Sequence, residues 1–319
     1  MRILKIAFVI VLFASAALAQ AGDYVLVLNK TSNTLSFINT ATMKAEGSVP
    51  VGRQPHEMAI NPARTKAYVS NVGANSVSVI DLKARTEIKK INSPDFKNPH
   101  GLVFTADSRR AFVTSEQNKK IFVLDAVKDE IVQAIDTDQE GTHMAVLSPD
   151  GRWAYFTNRL SKTISVMDVG STKIVANVPA GTGVEGIAIS PDGKQVWGGN
   201  RGDNTVTIID TAKREPIATV PTGRGPIRVA FSPDGKRAYI TATMDNEVNV
   251  YDVATRKQVQ KISVGGNPGG VIFSRDGKRA FVACASTNDV NVIDTTAGTV
   301  IAKVAVEQGP DGVGYLAQK

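Results

Sequence analysis

Cysteine, histidine and tryptophan are scarce, with one, three and two residues in a chain of 319. A lone Cys284 excludes an intramolecular disulfide, so a chain of this length must hold itself together by apolar packing. No nucleophile elbow, phosphate-cradling glycine loop or paired-cysteine metal motif is present, and a non-catalytic binding role is favoured accordingly. Aromatic residues make up 6% of the chain, and the lysines and arginines behind its formal charge of +7 are scattered through turns. Nucleic-acid binding wants clustered charge beside aromatic platforms, so it is disfavoured. Scattered basic residues instead keep exposed sheet edges from pairing with other chains.

Long apolar runs are also missing, with one exception. Residues 6–18 follow Arg2 and Lys5 and lead into Ala17-Leu18-Ala19 before Gln20. This three-part pattern predicts a cleaved signal peptide over residues 1–19, too short for a membrane anchor. The expected mature chain, 20–319, is a single domain without a membrane span, periplasmic or secreted, and its formal charge falls to +5 once Arg2 and Lys5 are removed.

What the chain has in abundance is repetition. Residues 225–252 read as a short apolar run, a Ser-Pro-Asp-Gly turn, a second apolar run, an Asp/Asn-rich loop and a third, alternating strand. Equivalent third strands end at Asn39, Asp81, Asp125, Asp168, Asp210, Asp252 and Asp294, spaced 42, 44, 43, 42, 42 and 42 residues apart. A period near 42 with four short strands per unit is the signature of a propeller blade, because one such sheet buries both faces only when neighbours stack on it. The prediction is an all-β fold, a seven-bladed β-propeller of four-stranded antiparallel blades. The first unit lacks its own innermost strand, and residues 309–315 supply one at the far end of the chain. That C-terminal strand is therefore expected to complete the N-terminal blade and close the ring, so removing the last ten residues should unfold it.

The second strands carry Tyr68-Val69-Ser70-Asn71 and Tyr155-Phe156-Thr157-Asn158, with looser copies at Phe112, Trp197, Tyr239 and Phe281. In these tetrads the chain resembles the YVTN family of bacterial propellers, its exported YncE-like members above all, over essentially the whole mature length. That resemblance implies the fold. For function it implies a range, since such propellers serve as binding scaffolds, as accessory proteins beside redox enzymes and occasionally as enzymes.

The repeat stops being uniform at one column. Five residues before the serine of each turn stand, in ring order, Asp311, His56, His100, His143, Glu185, Ile227 and Gly269. Every histidine of the chain occupies this position, in three consecutive blades, flanked by the column's two carboxylates. Each of these residues from His56 to Gly269 lies 25 residues before the end of the third strand of its blade, whereas the lead-in is 17 residues everywhere except before His100 (19) and His143 (18). Length thus varies only in the loops that deliver two of the histidines, as happens where a binding face is built on a constant scaffold.

Innermost propeller strands begin at one mouth of the central channel, so His56, His100 and His143 are expected there, with Glu185 and Asp311 completing or orienting a metal set. Imidazole with carboxylate suits zinc, copper, iron or nickel. A small anionic ligand is the other candidate, and each histidine capping a strand end is the purely structural account.

The remaining candidates are weaker. Glu57 reads as exposed rather than as support for His56, and Met58 and Met144 as packing. Cys284 reads as a small buried hydrophobe, and Trp153 and Trp197 as wedges between blades. Asn29, Asn71, Asn158 and Asn200 are expected to satisfy loop backbone, and Arg159 and Arg201 to be loop arginines that could meet an anion.

The sequence therefore favours an exported, non-catalytic binding protein with a metal or anion at the mouth. The alternatives are a metal-dependent hydrolase, lyase or lactonase using the same residues with Glu185 or Glu57 as base, and an interaction scaffold for a periplasmic partner such as a redox enzyme.

Overall fold

Alternation of apolar and polar residues makes each repeat a meander, and the computed structural model, which describes residues 22–318, shows seven such meanders. The expected signal peptide lies outside the described residues. Each blade is a four-stranded antiparallel sheet: 55–92, 99–136, 142–179, 184–221, 226–263 and 268–305 form the second to seventh. The first combines 24–50 with the C-terminal strand Pro310–Leu316, which pairs Val25 with Tyr315 and Val27 with Val313. This C-terminal strand gives the first blade the same four strands as the other six and closes the ring. Among the described residues no helix is long and apolar enough to cross a membrane.

The few aromatic residues are spent on the seams between blades. Tyr68 meets Phe104, Trp197 meets Phe231, Tyr239 meets Phe273 and Phe281 meets Tyr315, each pair reaching from a second strand to the innermost strand of the next blade. Trp197 is fully buried and is the wedge its sequence position suggests. Trp153 is only half-buried, and its ring is covered by Arg214 of the next blade at 4.3 Å. Cys284 is fully buried in one apolar cluster with Val248, Ile262 and Val282.

The far ends of four of the innermost strands are built alike. In the turn at 232–235, Ser232 Oγ donates to Asp234 Oδ1 (2.6 Å) and accepts from the Arg237 amide (2.9 Å), while Gly235 takes a φ of 72°. The same bonds recur at Ser148, Ser190 and Ser274. The serine, aspartate and glycine of the turn are bonded to one another and to the next residues of the chain, which is why the motif repeats unchanged.

The near end is not uniform. The third residue of the innermost strand is glycine in the first, third, fifth and seventh blades: Gly312, Gly101, Gly186 and Gly270. A Cβ on Gly101, Gly186 or Gly270 would lie 2.5–2.6 Å from the carbonyl oxygen of the next blade's second residue, so these strands lie almost backbone to backbone. The other three blades place Glu57, Met144 and Arg228 at this position. Two of those strands, Pro55–Ile60 and Pro226–Phe231, also pair differently: Glu57 opposes Ser70 and Arg228 opposes Thr241, so the bulge ends one residue earlier than elsewhere. A bulge lets consecutive side chains face the same way, and here it turns Glu57 and Arg228 into the channel.

Candidate metal centre at the channel mouth

All five residues of the sequence-predicted set are the second residues of their strands, and the structure brings them into one arc. Asp311 Oδ2 stands 3.4 Å from His56 Nε2, and the His56 and His100 rings are 4.1 Å apart by centroid. The His100 and His143 rings follow at 3.6 Å, and Glu185 Oε1 lies 3.9 Å from His143 Nε2. His100, His143 and Glu185 are buried, and His56 and Asp311 are half-buried. Ile227 and Gly269 complete the ring without chemistry.

Glu57 overturns the expectation that it is exposed. It is buried, its Oε1 is 3.4 Å from His56 Nδ1, and the same oxygen takes a hydrogen bond from Arg228 Nη2. Ligand atoms of His56, Glu57 and His100 all lie within 4.8 Å of one another, a spacing one ion can bridge. His143 stacks on the far side of His100, outside that group of three.

Two further residues join the cluster that no pattern in the histidine column announces. Arg228, on the sixth blade, reaches across the channel to Glu57 on the second, and its nitrogens also approach Asp311 Oδ1 (3.8 Å) and Glu185 Oε1 (4.0 Å). Glu116 begins the short 3₁₀ turn Glu116–Asn118 in the loop after the second strand of the third blade. One of its oxygens lies 3.5 Å from His143 Nδ1 and the other 2.8 Å from Arg159 Nη1. Arg159 also approaches Glu185 (3.5 Å), as does Arg201 (3.2 Å), so both loop arginines are committed to carboxylates of the site. The asparagines depart from expectation in another way: Asn29, Asn71, Asn158 and Asn200 donate to third-strand hydroxyls, for instance Ser76 and Ser78, rather than serving loop backbone alone.

Burial, above all, favours the neutral form of His100 and His143. It pushes His100 well below the usual histidine range, helped by His143, His56 and Arg228. Burial also lowers His143, although Glu116 and Glu185 pull the other way. For Glu185 and Asp311 burial favours the protonated form, but the surrounding cations, Arg159, Arg228 and Arg201 at the first and Arg228 and Lys30 at the second, outweigh it and hold both below the usual carboxylate range. A carboxylate clamped in this way is a weak base, which counts against Glu185 in that role. Four carboxylates, those of Glu57, Glu116, Glu185 and Asp311, face four cations, Arg228, Arg159, Arg201 and Lys30, at the mouth.

Its hydrogen bonding is incomplete. Nδ1 of His100, both ring nitrogens of His143 and Nε of Arg159 and Arg228 are buried without a hydrogen-bond partner. Neutral imidazole nitrogens left unpaired beside carboxylates form a donor set suited to a transition-metal ion. Above them the mouth is a cavity of about 240 Å³ lined by Lys30, His56, Glu185, Arg201, Gly269 and Asp311 among others. Beside it a groove of about 570 Å³ runs over Asn98, Glu116, Lys119, Glu140 and Leu160, between the loops whose lengths vary.

Residues 106–229 and 200–312 match the family model for the cytochrome D1 heme domain, so that together more than half of the chain is matched. A model for a domain of unknown function (DUF5074) matches residues 13–163. Among solved structures the chain is similar to Kuenenia stuttgartiensis hydrazine synthase, at 26% identity and a TM-score of 0.76, over 83% of this chain and 90% of that one. It is also similar to a functionally unknown protein from Desulfotomaculum acetoxidans, at 14% identity and a TM-score of 0.81, over 93% and 100% of the two chains; at that identity the likeness concerns the fold alone. No curated protein matches. These findings support a β-propeller, and the YVTN and YncE character stays at the level of resemblance.

The family's description names a haem, and the mouth does not fit one. A macrocycle needs two broad apolar walls and an imidazole free to ligate axially. Here the imidazoles are stacked on each other, the cavity above them is small and charged, and Glu57 with Arg228 crosses the channel beside them.

Proposed function

We propose that this chain, which belongs to the cytochrome D1 heme domain family, is an exported binding protein that holds one transition-metal ion at its channel mouth. The observation that carries this reading is the unpartnered ring nitrogens of the buried His100 and His143, beside the group of His56, Glu57 and His100 that one ion can bridge. His56, Glu57 and His100 would supply the first ligands, with His143 beside them and Asp311 and Glu185 orienting the outer imidazoles. Export rests on the leader pattern of residues 1–19, with 20–319 as the mature propeller.

The test is metal content by plasma mass spectrometry on protein purified without a histidine tag, beside a His56→Ala/His100→Ala/His143→Ala variant. About one equivalent of zinc, copper, iron or nickel in the wild type, lost in a variant with an unchanged circular dichroism spectrum, supports the site. Metal-free protein that also takes up none of these ions in titration removes it.

A second reading is favoured by the groove beside Glu116. A substrate lying there would reach the mouth from the side of His143, and a bound ion would supply Lewis acidity to it. This enzyme reading predicts turnover of ester, lactone or similar substrates by metal-loaded protein, abolished by filling the groove with Gly141→Trp. The likeness to a structure titled hydrazine synthase also gives reason to seek an enzyme partner by co-purification.

A further inference from the structure

The ion pair between Glu57 and Arg228 is not required by the scaffold. Four of the seven blades have glycine at the same position and one has methionine, and all form the same four-stranded sheet. The pair joins the second and sixth blades, three steps apart in one direction and four in the other, as far as two members of a seven-blade ring can be. Both side chains are buried, and both strands that carry them depart from the usual bulge register. Burying two charges is costly and would often be matched or bettered by apolar residues, so a ring that builds them in at two special positions needs another reason for them.

The reason lies in what Glu57 faces. A carboxylate oxygen of Glu57 belongs to the group of three that one ion could bridge, and its Oε1, 3.4 Å from His56 Nδ1, accepts the Arg228 hydrogen bond. The guanidinium and a metal ion therefore compete for one carboxylate. Arg228 also has somewhere to go, because its two terminal nitrogens already stand 3.8 Å from Asp311 and 4.0 Å from Glu185, and its Nε has no partner.

Resting on the metal reading above, the geometry points to Arg228 as an internal placeholder cation: it neutralises Glu57 while the site is empty and yields it to the incoming ion by moving onto Asp311 and Glu185. Arg228 thereby sets the affinity of the site, weakening it against adventitious cations and tying metal uptake to the breaking of the cross-channel pair. It acts as a positioning residue and touches no metal.

The experiment is a competitive chelator titration with Zn²⁺ on wild type, Arg228→Gln, Glu57→Gln and the Glu57→Gln/Arg228→Gln double variant, each checked for folding by circular dichroism. Arg228→Met replaces the single variant if Arg228→Gln does not fold. Removing the guanidinium removes a like charge beside the ion and frees Glu57, so Arg228→Gln is expected to bind Zn²⁺ about tenfold or more tightly than wild type. The double variant should lose that gain, because it acts through Glu57. A wild type that binds no Zn²⁺ beside an Arg228→Gln protein that does would sustain the placeholder while overturning the native metal site. Equal affinities in wild type and Arg228→Gln would overturn the placeholder and leave the metal site standing. A gain that persists undiminished in the double variant also overturns it, and absence of Zn²⁺ binding in every variant overturns both.

Discussion

The two ends of the innermost strands are built on opposite principles. At the turn end, Ser232, Asp234 and Gly235 and their counterparts satisfy one another locally, blade after blade, with no long-range partner. At the mouth end, most polar contacts join different blades: Asp311 to His56, His143 to Glu185, Arg228 to Glu57. Buried nitrogens there remain unpaired. A propeller needs its turns to repeat and does not need its mouth to, so the fold is made at one end and the chemistry is free to collect at the other. The difference also has an energetic side. Turn groups contribute independently, whereas mouth charges are balanced only as a set.

The sharpest way to break this comparison is to unbalance the mouth. Glu57→Gln leaves the buried Arg228 guanidinium without its main counter-charge and should cost about 3–5 kcal/mol, whereas Glu57→Gln/Arg228→Gln should cost far less than the sum of its parts. Urea denaturation of the two single variants and the double variant gives the coupling, and additive costs would mean that the pair is incidental. Next in size is Gly186→Val, which places a Cβ against the Ile227 carbonyl and Arg228 Cα of the next blade. Because the obstruction is backbone, the expected loss is about 3 kcal/mol, read in the same denaturation experiment. Full wild-type stability in that variant would show that the blades do not approach as closely as the glycine layer implies.

How much of this was legible follows the same division. The period of 42, the Ser-Pro-Asp-Gly turns and the late C-terminal strand fix the propeller, because repetition is local and every copy restates it. The histidine arc was legible for a related reason: a departure stands out against a regular column, and strand position alone carries His56, His100, His143, Glu185 and Asp311 to one mouth. Glu57 was read as exposed and Arg228 was not singled out, although their signal lies one column further on, as the only charges in a column otherwise of four glycines and a methionine. What hid them is that their pairing spans the ring, and the bulge that turns both inward leaves no mark in residue type. Glu116 left no signal at all, since its place beside His143 depends on how a loop folds. Arg159 and Arg201 could be put near the mouth but not paired, because a loop arginine reads the same whether solvated or clamped.

A smaller effect separates the two ends by pH. His100 and His143 are held neutral by burial, so their folded pKa values lie below those of the unfolded chain. As pH falls below about 6.5 the unfolded chain takes up protons that the fold refuses, and stability drops, by at most ~1.4 kcal/mol per pH unit for each histidine. Between pH 7 and 5 the carboxylates at the turns contribute little, since theirs are depressed below the ordinary range and act only at lower pH. In chelator-treated protein the denaturation midpoint should therefore fall across this window in wild type and stay nearly level in His100→Gln/His143→Gln. An equally steep fall in the variant would place the proton uptake elsewhere.

The smallest effect concerns Cys284, on the seventh blade and away from the histidine arc. Burial pushes its thiol up to about 12, with the charge of Asp289 adding to the shift, so at neutral pH it is protonated and neither a metal ligand nor a nucleophile. A thiol reagent such as 5,5′-dithiobis-(2-nitrobenzoate) should leave the native protein unlabelled for as long as it stays folded and react with one equivalent in urea. Cys284→Ala should cost only about 1 kcal/mol and leave Zn²⁺ affinity unchanged. Rapid labelling of the native protein, or a changed affinity in the variant, would extend the chemistry beyond the mouth, and the contrast between a reactive end and an inert scaffold would no longer hold.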